Sequence, residues 1–157
     1  TWPHAVTVQH RGRSLTMSLT SFTSLRHPDY DAAVVTRVRT VARSPLGSRL
    51  TITPKWPQLG MAGWLYRRSA PKTNAIEDHF SLQSDPPELA GRLSALPRIS
   101  AILLSQPKPA IDLKAGELRF ERPGFIPLDP QDALALFDTV CDLAELIEEA
   151  SPSPGAG

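Results

Sequence analysis

One segment near the C-terminus, residues 130–149, most constrains the fold, because its apolar side chains recur every three or four residues. They are Leu134, Phe137, Val140, Cys141, Ala144 and Ile147, a spacing that predicts one apolar face of a helix. Asp129 precedes them as an N-cap, Pro130 opens the helix and Asp132 completes a capping box. An isolated helix of this length is marginal in water, so we expect the apolar face to pack on a sheet.

Four antiparallel strands are predicted before residue 54. Residues 6–19 alternate between apolar and polar types on both sides of Arg11-Gly12-Arg13-Ser14, which is the pattern of a β-hairpin. Residues 34–42 also alternate and are rich in β-branched side chains. The turn sequence Ser44-Pro45-Leu46-Gly47 follows, and residues 49–53 return as a strand. We therefore expect the third and fourth strands to form a second hairpin.

Residues 77–120 predict a strand, a short helix and further strands. Phe80 and Leu82 alternate with polar residues, and Asp85-Pro86-Pro87-Glu88 then gives a helix start with Asp85 as the N-cap. Residues 99–104 form a short and almost wholly apolar run, which favours a buried strand over a helix. Residues 111–113 and 118–120 predict a hairpin with a three- or four-residue loop at Gly116.

These elements predict an α+β fold, with an antiparallel β-sheet and both helices packed on one face. The short helix covers about 86–95 and the long C-terminal amphipathic helix about 130–149. A length of 157 residues with 41% apolar content suits a single domain over residues 1–150. We expect residues 151–157, which are serine, proline, glycine and alanine, to form a flexible tail.

The net charge is +1, but the two halves of the chain have opposite sign. Residues 1–78 contain 11 lysines and arginines against 4 acidic residues, and residues 79–157 contain 6 against 12. A basic half can indicate an anionic partner. Equally, basic and acidic faces can complement each other within one fold, or lie far apart on its surface. We favour these structural explanations over an anionic partner.

The order of elements after residue 78 carries a resemblance. His79-Phe80-Ser81-Leu82-Gln83-Ser84-Asp85-Pro86 is followed by a leucine-rich helix, the apolar residues 101–104, a hairpin over residues 111–120 and a leucine-rich closing helix. This succession resembles uncharacterised bacterial domains that often follow transmembrane helices, and the resemblance implies a membrane-adjacent accessory role. The chain departs from that pattern at Glu77-Asp78-His79, where those domains have a glycine-aspartate pair and a further phenylalanine.

No residue pattern indicates catalysis, so we predict no catalytic, cofactor-binding or metal-binding residues. Glu77-Asp78-His79 combines two carboxylates with an imidazole, but neighbouring residues on a strand point to opposite faces. The sequence has neither a nucleophile elbow nor a phosphate-binding glycine spacing. Cys141 lies within the apolar helical pattern, and we expect it to be a core residue rather than a reactive thiol.

Cationic and aromatic residues between positions 37 and 68 form the candidate ligand- or partner-binding set. They are Arg37, Arg39, Arg43 and Arg49 on the predicted second hairpin, followed by Lys55, Trp56, Trp64, Tyr66, Arg67 and Arg68. Such residues can bind phosphates and stack on bases, or lie at an anionic lipid surface. A solvated sheet face with a covering loop is the structural explanation, and we favour it because the overall charge is near zero.

The sequence is most consistent with a non-enzymatic interaction or regulatory module of a larger bacterial protein, acting through protein–protein contact. A protein partner or a homodimer is the expected assembly. The alternative is a lipid- or nucleic-acid-binding module using the arginine-rich hairpin and the Trp/Tyr loop, and a second alternative is an enzyme of unrecognised type. No apolar run is long enough to cross a bilayer, so we expect a cytoplasmic domain whose membrane association would require a segment outside this chain.

Overall fold

The computed structural model describes residues 5–21, 34–45, 47–54, 76–106, 109–124 and 127–151. These ranges hold seven strands and four helices. In chain order they are β1 (Val6–His10), β2 (Arg13–Ser21), β3 (Val34–Val41), β4 (Arg49–Pro54), α1 (Ile76–His79), β5 (Phe80–Asp85), α2 (Pro87–Ala95), α3 (Pro97–Leu104), β6 (Ala110–Lys114), β7 (Glu117–Pro123) and α4 (Pro130–Ala150). The predicted α+β class is confirmed. Apart from Ser151, the predicted tail lies outside the described residues.

All seven strands form one antiparallel sheet in the order β1-β2-β3-β7-β6-β4-β5. The β6–β7 hairpin lies between β3 and β4, so the predicted second hairpin is wrong. This insertion brings Val38 of β3 opposite Phe120 of β7, and Ile52 of β4 opposite Ile111 of β6. All four side chains are buried. The turn sequence after β3 predicts only that the chain reverses direction, whereas the burial of apolar pairs decides which strands are neighbours.

Two-residue turns close the β1–β2 and β6–β7 hairpins. Arg11 and Gly12 have φ angles of 51° and 75°, and Ala115 and Gly116 have φ angles of 53° and 77°. Positive φ at both positions is the signature of a type I′ turn, whose twist matches that of the flanking strands. Of the three predicted hairpins, β1–β2 and β6–β7 are confirmed, and the loop at Gly116 is shorter than predicted.

The helices pack on one face of the sheet, and the described residues form an apolar core there. The sheet contributes fully buried side chains such as Leu50 and Phe120, and α4 contributes Phe137, Cys141 and Ile147. Burying one large aliphatic or aromatic side chain stabilises a fold by about 1.5–3 kcal/mol. The predicted docking of the C-terminal helix is thus confirmed, although Leu134 at its N-terminal end is 50% exposed.

Residues 99–104 belong to helix α3, so the strand predicted there is wrong. Ile99 and Leu103, four residues apart, are both fully buried, whereas Leu104 is 40% exposed. This is the spacing of one helix face. Pro97 occupies the first turn of α3, where its missing N–H costs nothing. Helix α3 has only eight residues, and the six residues of the apolar run are too few for their pattern to distinguish a helix from a strand.

The two predicted N-caps have different outcomes. Asp129 caps α4, because its Oδ1 accepts a hydrogen bond from the Gln131 N–H at 2.9 Å. Asp85 does not cap α2: it ends β5, and the cap position belongs to Pro86 across a cis peptide bond. Ser84 binds this helix start instead, since its Oγ accepts from the Ala90 N–H at 2.9 Å and donates to the Pro86 carbonyl at 2.7 Å.

The acidic face of α4 pairs with basic residues from the first half of the chain. Arg11, in the β1–β2 turn, donates to Asp142 at 2.9 Å and to Glu145 at 2.8 Å. On either side of it, His10 Nε2 lies 2.7 Å from Asp138 Oδ1, and Arg13 pairs with Glu148. Much of the charge asymmetry is therefore internal complementarity, as favoured above. Within the described residues, no helix has the length and apolar character needed to cross a bilayer.

Candidate binding surface

The face of the sheet opposite the described helices is charged. Strand alternation sends the apolar residues of each strand into the core and their neighbours to this second face, which we call the outer face. Its charged residues on the central strands are Arg37, Arg39, Arg49, Asp112, Lys114, Glu117, Arg119 and Glu121. The sheet register places them in rows that cross the strands, so each residue has a defined neighbour on either side.

Arg39 on β3 and Arg119 on β7 lie directly opposite each other in one of these rows. Like charges at directly opposite positions destabilise an antiparallel pair. The Nε atoms of both residues are also shielded from solvent and have no hydrogen-bond partner among the described residues. An unsatisfied buried donor costs about 1–3 kcal/mol, so the opposed charges and the unpaired Nε–H groups are unfavourable, and only Arg119 of the two has a carboxylate, Asp112, opposite it among the described residues.

A second pair of cations occupies the next row. Arg49 on β4 lies opposite Lys114 on β6, and both are exposed. Carboxylates flank them, because Glu117 is opposite Lys114 on one side and Asp85 is opposite Arg49 on the other. The row therefore reads negative, positive, positive, negative across four neighbouring strands.

Residues of both rows line a cleft of about 430 Å³. Its lining consists of Arg49, Asp112, Lys114, Ala115, Glu117 and Arg119. Thr51 Oγ1 donates to Asp112 Oδ1 at 3.4 Å, and an Arg119 guanidinium nitrogen is 3.6 Å from Glu117 Oε1. With three cations and two carboxylates on its walls, the cleft suits a ligand that carries both signs of charge.

The structure divides the four arginines predicted to cluster. Arg37 is paired with Glu121, whose Oε1 accepts from its Nε at 3.2 Å. Arg43, just after β3, is directed to α4, where its backbone N–H donates to Glu148 Oε2 at 2.9 Å. Arg49 lies three strand spacings from β3, or about 14 Å. Of the four arginines, Arg39 and Arg49 each lie opposite another cation on the outer face, Arg119 and Lys114 respectively.

The other six residues of the predicted set lie outside the described residues. They are Lys55, Trp56, Trp64, Tyr66, Arg67 and Arg68. Lys114 and Arg119, which complete the two cation pairs, were not predicted. Alternation along the β6–β7 hairpin assigns both to the outer face, but the identity of the neighbouring strands is needed to place them beside Arg49 and Arg39.

Two further sequence predictions concern chemistry. Glu77-Asp78-His79 lies in the one-turn helix α1, so the strand geometry assumed for it is wrong. Cys141 is fully buried, as predicted, and burial raises the pKa of its thiol. In the described ranges, no three histidine, cysteine or acidic side chains are grouped to hold a metal ion.

Comparison with known proteins adds one fold relationship. No protein family and no curated protein matches the sequence. The crystal structure of the mycobacterial trehalose monomycolate transport factor A aligns with 96% of this chain and 74% of its own, with a TM-score of 0.58. The two chains share a fold. Their sequence identity is 13%, so the similarity is one of architecture.

Proposed function

We propose that this chain is a non-enzymatic accessory module of a larger bacterial protein and acts by protein–protein contact. Its contact surface is the outer face of the sheet. The occupant is a segment of a partner protein that carries both acidic and basic side chains, matched to the two signs of charge in the cleft.

The observation that carries this proposal is the placement of Arg39 opposite Arg119. Two opposed arginines whose Nε–H groups are shielded and unpaired are unfavourable to the fold. Asp112 and Glu117 lie beside Arg119, whereas the neighbours of Arg39 in its row are Thr16 and Arg119. An acidic side chain of a partner, bound at the partly exposed guanidinium groups, would relieve their repulsion. Charge-assisted hydrogen bonds of this kind are among the stronger polar contacts in interfaces.

The charge pattern favours a protein over a nucleic acid or an anionic membrane. Asp112 and Glu117 line the same cleft as the cations, and they would repel a continuous polyanion. Arg37, one of the cations on which the lipid and nucleic-acid alternative depended, is paired with Glu121. Another, Arg43, is exposed but lies beside Glu148 of α4, to which its backbone N–H donates. That alternative is therefore the weaker one.

The shared fold agrees with an accessory role. The structure that aligns with this chain is described as a transport factor, and we propose a role of that general kind here. The resemblance to domains that follow transmembrane helices supports placing this role next to a membrane.

Site-specific photo-crosslinking in cells tests the proposal. A photoreactive amino acid at Thr51, on the outer face, should crosslink a partner protein, and the same substitution at Arg92, exposed on α2, serves as the control. The crosslinked partner is identified by mass spectrometry, and binding is then reconstituted from purified components. Crosslinks from Arg92 alone, or turnover of a small molecule at the outer face, would contradict the proposal.

A further inference from the structure

The spacing of charges on the outer face specifies the motif that a partner must present. We propose that the outer face, from the Arg39–Arg119 pair to the edge of the cleft at Asp112, binds an extended peptide in which a glutamate or aspartate is followed two residues later by a lysine or arginine. This inference rests on the proposed function, since it names the chemistry of the contact made by the same surface.

The acidic side chain of the motif binds between Arg39 and Arg119. The two residues occupy directly opposite positions on neighbouring strands, and both side chains are partly exposed on the outer face. Their Nε–H groups have no partner among the described residues but are shielded, so the carboxylate meets the outer part of each guanidinium group. One carboxylate has two oxygens and can accept from both guanidinium groups. Arg37, two residues along the same strand, does not compete, because its Nε–H already donates to Glu121.

The basic side chain of the motif binds at Asp112. This residue follows Arg119 in the same row, directly opposite it on β6. With strands about 4.8 Å apart, the midpoint of the arginine pair lies about 7 Å from Asp112. Side chains two residues apart on an extended peptide share one face and are also separated by about 7 Å. A peptide that crosses the strands therefore matches both positions at once.

Nuclear magnetic resonance titration of the whole chain tests the motif. The probes are two synthetic peptides of equal composition: one repeats Glu-Ser-Lys-Ser, and the other repeats Glu-Lys-Ser-Ser, which places the two charges on opposite faces. We expect the first peptide to bind more tightly and to shift the Nε–H signals of Arg39 and Arg119. The Nε–H signal of Arg37 should move least, because that group is already bonded.

Matched variants complete the test. Arg39→Gln should weaken binding of the first peptide about tenfold or more, whereas Arg92→Gln, which removes the same charge from α2, should leave it unchanged. Equal affinity for the two peptides would overturn the motif, as would binding without a shift of either arginine signal. Tighter binding of inorganic phosphate or of a thymidine oligonucleotide would also overturn it. If the Thr51 crosslink succeeds while these signals stay still, the motif fails and the proposed function stands.

Discussion

Arg13 on β2 and Glu148 on α4 form an ion pair that joins the first hairpin to the closing helix. The two side chains are only 18% and 14% exposed. Glu148 also accepts the backbone N–H of Arg43 at 2.9 Å, so one carboxylate binds β2, the end of β3 and α4 together. Ion pairs gain strength when they are shielded from water and share several hydrogen bonds.

Replacement of Glu148 by glutamine should destabilise the fold. The change leaves the half-buried Arg13 without a charged partner, and we expect the free energy of unfolding to fall by about 1–3 kcal/mol. Glu149→Gln is the matched control, because Glu149 is exposed, and it should change stability by less than about 0.5 kcal/mol. Urea unfolding followed by circular dichroism measures both. Equal effects of the two substitutions would show that the Glu148 contacts contribute nothing.

The same carboxylate gives stability a defined dependence on pH. Burial opposes ionisation, but hydrogen bonds from Arg13 and the Arg43 backbone outweigh it, and the pKa of Glu148 lies below its ordinary value of 4.5. A lowered pKa in the folded state means that the contribution is fully present above that ordinary value and is lost as the pH falls through the folded-state pKa. Unfolding free energies of the wild type and Glu148→Gln should therefore differ most at about pH 6 and approach each other as the pH falls below 4.5. A difference that stays constant over this range would contradict the assignment.

The ionised Asp138 should also stabilise the fold, and this contribution should also be lost as the pH falls. A hydrogen bond from His10, together with the charges of His10 and Arg11, lowers its pKa below the ordinary 3.8. Because Asp138 is exposed, its part of the acid-induced loss should be small and should decrease with added salt. Salt titration of the unfolding midpoint separates it from the shielded Glu148.

The helix α3 offers a test of the core. Leu103 is fully buried and its neighbour Leu104 is 40% exposed, so two adjacent leucines provide a matched pair. Leu103→Ala should lower the free energy of unfolding by about 2–5 kcal/mol, and Leu104→Ala by clearly less. Thermal or urea unfolding measures the difference. Equal losses at the two positions would mean that α3 does not dock through the Ile99–Leu103 face.

Local signals in the sequence predicted most of the fold. Gly12 and Gly116 each mark a tight turn between alternating segments, and Asp129 marks the start of the closing helix. Each of these signals depends on residues close together in the chain. The strand predicted for residues 99–104 is wrong because six residues of mostly apolar character satisfy either a helix or a strand, and contacts with α4 decide between them.

The candidate site was harder to predict because it depends on strand order. Arg39 was recognised as a cation on a strand, but its partner in the sheet is Arg119, which is eighty residues away in sequence. The turn after β3 indicated Arg49 as its neighbour, whereas the inserted β6–β7 hairpin separates them. The burial of the whole apolar face decides which distant strands pair. The local sequence pattern predicts which side chains share a face but does not identify the neighbouring strand.

The central claim is that Arg39 serves contact with a partner rather than the fold, and the stability of Arg39→Met tests it most directly. Methionine keeps an unbranched apolar stem and removes the charge and the unpaired Nε–H. Urea unfolding should show an unchanged or increased free energy of unfolding, because the repulsion from Arg119 and the unsatisfied donor are both removed. A loss of more than about 1 kcal/mol, a typical destabilisation for a substitution at a structural position, would contradict the claim.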